Sequence, residues 1–167
     1  MQLVREYYDE LVAILELHLK DDRADPRRVG AAGASMGATV ALRLAAKDLR
    51  VRSVAAFVPV LDFEHLPELP EPGFVPEGDL AEAREYDPLH FFREPPSASI
   101  LVQCGAEDGV VGRLAGRRLD GLLSPLIPSA GEGSRYSFRE YPGLGHEISP
   151  EMIEEATKWF RITLEIA

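Results

Sequence analysis

The run Val54-Ala55-Ala56-Phe57-Val58-Pro59-Val60 is apolar at every position, and a strand without polar side chains has no face to turn to water. Such a run belongs where both faces are covered, inside a parallel sheet with helices packed above and below. The flanking sequence supplies those helices. Leu3, Val4, Tyr7, Tyr8, Leu11, Val12, Leu15 and Leu19 recur at three- and four-residue steps among acidic residues, which predicts an amphipathic helix over 3–19. The polar cluster Asp21-Asp22-Arg23-Ala24-Asp25-Pro26 ends it. Residues 28–33 then read as a short strand and 37–47, rich in Ala and Leu, as a helix. Farther on, strands are expected at 99–103 and 136–141, and helices at 113–123 and 150–164. Strands alternating with helices predict an α/β fold with a mostly parallel sheet of about four strands and helices on both faces.

Between the second and third strands lies a segment of different character. Leu66-Pro67-Glu68-Leu69-Pro70-Glu71-Pro72 is neither helix nor strand along most of its length, because proline removes ladder donors and breaks helices. Residues 61–85 are therefore expected to form a lid-like excursion above the sheet. Asp87-Pro88-Leu89-His90 closes it, with Asp87 as helix cap and Pro88 in the first helical position.

A chain of 167 residues with 46% hydrophobic content suffices for one domain over 1–167. Its formal net charge of -10 argues against a nucleic-acid or anionic-membrane partner, and a small or neutral substrate suits it better. Cys104 is the only cysteine, so no intrachain disulfide can form, and its place at the end of an apolar run suggests a buried thiol. Neither a signal-peptide plan nor a membrane-length apolar run is present in the sequence, which leads to an expected cytoplasmic location.

Three loops carry the chemistry. Gly33-Ala34-Ser35-Met36-Gly37 matches the Gly-x-Ser-x-Gly turn that lifts a serine above a sheet between strand and helix. A side chain at either flanking glycine is expected to collide with the neighbouring strand and helix. A serine hydroxyl needs a base, and the base needs a carboxylate to fix its tautomer. Gly105-Ala106-Glu107-Asp108 follows the third strand and Gly143-Leu144-Gly145-His146 follows the fourth, which puts Asp108 and His146 at the same end of the sheet as Ser35. Glu107 and Asp62, the latter after the second strand, are alternative acids.

These three motifs, in this order on these elements, resemble the α/β-hydrolase superfamily, and within it small esterase, dienelactone-hydrolase-like and prolyl-oligopeptidase-like members. The resemblance extends over nearly the whole chain, including Tyr86-Asp87-Pro88-Leu89, and corresponds to the C-terminal half of the superfamily's sheet. It implies Ser35 as nucleophile, Asp108 as orienting acid and His146 as general base of an acyl-enzyme mechanism on a carboxylic ester. The Met36 backbone N–H would donate to the oxyanion. No cofactor and no metal are implied.

The chain departs from that family in two respects. It contains no His-Gly-Gly or similar loop for a second oxyanion donor, and loss of one donor typically costs about a hundred- to a thousand-fold in turnover. The strand over 29–33 would normally lie between two others, so an apolar edge is expected there, with poor folding in isolation, unless a preceding segment or a second copy of the chain covers it. A binding module without activity, a peptidase and an acyltransferase remain rival readings, because acceptor choice lies in pocket and lid. Phe63, Leu66 and Phe74 are the expected substrate-binding residues of the excursion. His18, His65 and His90 read as surface or structural residues.

Overall fold

A computed structural model describes residues 2–63, 84–112, 114–127 and 135–166, with side chains from residue 5 onward. Four strands, β1 (Val29–Ala34), β2 (Val51–Phe57), β3 (Ser99–Gly105) and β4 (Tyr136–Tyr141), pair in sequence order, every pair parallel. Between and around them run α1 (Gln2–His18), α2 (Met36–Lys47), the short α3 (Pro88–Phe91), α4 (Ala115–Leu123) and α5 (Pro150–Thr163).

The alternation of side chains along β2 and β3 sorts the core into two layers. Val54, Ala56, Ile100, Val102 and Cys104 face α2 and α4, where Leu42, Leu119 and Leu123 are fully buried. Ala55, Phe57 and Leu101 face the opposite way, onto Met152 and Ala156 of α5. Burying each large aliphatic side chain contributes about 1.5–3 kcal/mol, so the two central strands anchor both layers. Ser149 caps α5 by accepting from the Met152 N–H at 3.2 Å, with Pro150 in the first turn.

The second strand begins three residues earlier than the apolar run, at Val51, and stops at Phe57. Arg52 points to solvent and the Ser53 hydroxyl bonds that of Thr163 at 2.6 Å, so polar residues are accommodated at the strand's start. At its end Val58 takes a positive φ of 41°, which turns the chain out of the ladder even though the apolar run continues.

The two outer strands differ. Arg139 and Glu140 of β4 are ion-paired with Glu155 and Arg117, and such charges discourage further pairing. Among the described residues β1 is outermost on the other side, reads Val-Gly-Ala-Ala-Gly-Ala and leaves Gly30, Ala32 and Ala34 exposed. Beside it Leu11 and Ile14 of α1 stand 40% and 50% exposed. None of the helices among the described residues is long and apolar enough to cross a membrane.

Candidate active site

Ser35 occupies the single residue between β1 and α2. Its backbone, at φ 53° and ψ -122°, lies in a region that a serine adopts only when its surroundings enforce it. They do so through main-chain bonds: the Ser35 N–H donates to the Phe57 carbonyl at 2.9 Å, and its own carbonyl accepts from Ala38 at 3.0 Å. A serine ahead of a helix ordinarily has extended backbone and caps the first turn with its hydroxyl. Ser35 makes no such cap; its Oγ lies 2.9 Å from His146 Nε2.

The flanking glycines turn out unequal. A Cβ on Gly33 would sit 2.2 Å from the Gly37 carbonyl oxygen, so position 33 admits nothing larger. Among the described residues a Cβ on Gly37 would meet nothing within 4 Å, because this residue faces the open side of β1 and α1. The collision expected at both positions is thus found at one.

Asp108 is 2% exposed and held at both oxygens. Oδ1 accepts from the Val110 and Val111 N–H groups at 3.0 and 3.1 Å, and Oδ2 faces His146 Nδ1 at 2.8 Å. A carboxylate against Nδ1 accepts a hydrogen bond, which assigns the ring hydrogen to Nδ1 and leaves Nε2 as the acceptor for the Ser35 hydroxyl. The alternative acids are engaged or turned away: Asp62 pairs with Arg118 of α4, and Glu107 is exposed.

Sequence reasoning missed how the Asp108 and His146 loops are fastened. Ala106 and Glu107 donate their N–H groups to the Tyr141 and Leu144 carbonyls at 3.0 and 2.8 Å. The two backbones approach so closely that a Cβ on Gly105 would lie 2.2 Å from the Gly145 oxygen and 2.4 Å from that of Leu144. Gly105 therefore sets the separation of the Asp108 and His146 loops. Its place directly before the Asp108 turn was the only hint.

Met36, the first residue of α2, has an N–H with no intrahelical acceptor. Beneath it Val40, Val60, Phe63, Tyr86 and Val111 form a small buried cluster. Phe63 belongs to this cluster at 4% exposure, and its N–H donates to Asp87 Oδ2 at 2.8 Å. The other Asp87 oxygen caps α3 through the Leu89 N–H at 2.9 Å, so one buried carboxylate ties the chain after β2 to the chain before β3. Leu66, Phe74 and His65, with residues 64–83 of the excursion, lie outside the described residues.

His18 bonds the Ile14 carbonyl at 2.8 Å, and His90 is exposed. Among the described residues no three His, Cys, Asp or Glu side chains gather as metal ligands. Burial pushes the Cys104 thiol up to about 12, with the Asp108 and Glu140 charges adding to the effect, so the thiol stays protonated and unreactive at neutral pH.

With this geometry in view, the chain can be compared with known proteins. No family model matches it. Over 171 aligned positions it is 28% identical to Esterase YjfP of Escherichia coli (strain K12), covering 96% of this chain and 65% of that protein. Among solved structures, a post-proline cleaving enzyme from Rickettsia typhi superposes with a TM-score of 0.78 at 19% identity, over 95% of this chain and 25% of that one. Acetyl Xylan Esterase 1 from Thermoanaerobacterium sp. JW/SL YS485 does so with a TM-score of 0.68 at 20% identity, over 92% of this chain and 50% of that one. The chain has an α/β-hydrolase-like fold, with relatives named as esterases and peptidases. It spans 65% of the length of the curated relative and half or less of these two structures.

Proposed function

We propose that the chain carries the reacting groups of a serine hydrolase that cleaves carboxylic esters through an acyl-enzyme. One observation bears most of the weight, the unbroken relay from Ser35 Oγ through the His146 ring to Asp108 Oδ2, with contacts of 2.9 and 2.8 Å. The name of the Escherichia coli relative favours an ester over a peptide as substrate.

In the first step His146 Nε2 accepts the Ser35 proton as Oγ bonds to the ester carbonyl carbon, while Asp108 stabilises the resulting imidazolium. The carbonyl oxygen becomes an oxyanion beside the Met36 N–H. The intermediate collapses as the carbon–alkoxy bond breaks, and His146 returns the proton to the departing alcohol. Water then attacks the acyl carbon with His146 again taking a proton, the ester bond to Ser35 breaks, and Oγ recovers its hydrogen as the acid leaves. Among the described residues Met36 is the one oxyanion donor this scheme uses, and a site working with it alone would turn over about a hundred- to a thousand-fold more slowly than a two-donor site.

Hydrolysis of p-nitrophenyl acetate by the purified protein tests the reading. Ser35→Ala should lower the rate by about 10⁶-fold, to the level set by binding and the remaining donor. An unchanged rate, or no turnover by folded protein bearing Ser35, contradicts it.

A further inference from the structure

The amino ends of the strands, on the far side of the sheet from Ser35, enclose a groove of about 680 Å³. Five of the chain's 18 basic residues line it: Arg27, Arg28, Arg50, Arg52 and Arg135. In a molecule of net charge -10 such a gathering of one sign runs against the average field of the surface. We propose that this groove binds a soluble polyphosphate, a small ligand with phosphoryl groups in a row.

Local carboxylates offset part of the charge and leave a defined remainder. Asp25 takes Arg27 at 3.3 Å and Arg28 at 3.6 Å. Asp48 accepts from Arg50 Nε at 2.9 Å, and Glu16 stands 4.0 Å from the same guanidinium. Glu165 is the one acid lining the groove among the described residues. Arg52 is exposed with no carboxylate partner among the described residues. Arg135 uses Nη1 on the Pro96 and Ser97 carbonyls at 3.1 and 3.2 Å, which fixes its position without neutralising it.

The spacing of these two arginines selects an extended anion. Arg52 precedes the β2 residue paired with Ser99, and Arg135 precedes the β4 residue paired with Ile100. They flank the start of β3 two strand spacings apart, about 10 Å at the backbone. A single tetrahedral anion satisfies one planar guanidinium fork; a phosphoryl chain reaches both. The groove's volume falls within the usual range for small-molecule sites, about 300–1,000 Å³.

Titration of the protein with inorganic tripolyphosphate, followed by calorimetry and by phosphorus NMR, tests the site. Saturable binding that weakens as salt is raised is expected, with affinity reduced about tenfold in Arg52→Gln and increased in Glu165→Gln. Ester turnover should be unchanged in both variants. Lack of saturable binding, equal affinity in Arg52→Gln, or equally effective competition by sulfate at matched ionic strength overturns the proposal.

Discussion

The two rims of the sheet are built on opposite plans. At the carboxyl rim the backbone is forced: Ser35, Val58 and Asp62 all have positive φ, and a Cβ on Gly33 or Gly105 would come within 2.2 Å of a facing carbonyl oxygen. At the amino rim one residue, Glu165, has a positive φ, and the turns ahead of β1 and β2 are tied by short-range ion pairs, Asp25 with Arg27 and Asp48 with Arg50. Three loops must deliver Ser35, Asp108 and His146 to one point, and close backbone packing is what brings them there. The amino rim has no such convergence to enforce, and charge more than strain shapes it.

The difference can be sharpened by substitution. Asp108→Asn keeps the shape of the side chain but invites the wrong imidazole tautomer, and a fall of about 10⁴-fold in kcat is expected, measured on the same aryl ester. Gly105→Ala should cost about a hundred-fold in kcat, since the added methyl group must push the His146 loop away by a sizeable fraction of an ångström. Retention of the wild-type circular dichroism spectrum and KM would mark that loss as positional. Equal kcat in Gly105→Ala would break the comparison, because the close approach would then have no bearing on the site.

At the amino rim the corresponding change should be harmless or better. Glu165 has a φ of 52° just past the end of α5, where the Ile166 N–H returns to the Arg161 carbonyl at 2.9 Å. That is the left-handed helix terminus glycine favours. Glu165→Gly is therefore expected to raise unfolding free energy by about 0.5–1 kcal/mol, read from a urea denaturation midpoint, with ester turnover unaffected. A loss of stability would show that the strain at this rim is structural after all.

The order of elements was legible from periodicity, and the placement of Ser35, Asp108 and His146 at one rim from their loops, because strand ends and glycine turns leave strong marks in sequence. Less legible was anything set by distant partners. Asp62 and Asp108 look equivalent as loop acids until Arg118, 56 positions from Asp62, is seen to engage the former. The start of β2 at Val51 was hidden by the polarity of Arg52 and Ser53, which is accommodated by solvent and by Thr163, 110 positions from Ser53. Arginines scattered from Arg27 to Arg135 carry no sequence signature of a common groove.

Intact-mass and peptide analysis after exposure to a serine-directed fluorophosphonate examines the relay itself, since the probe reports Ser35 nucleophilicity without requiring deacylation. One adduct on Ser35 is expected, absent in Ser35→Ala and formed far more slowly in His146→Ala. A folded protein that remains unlabelled, or that labels Ser35 equally fast without the imidazole, would contradict a Ser35–His146–Asp108 triad.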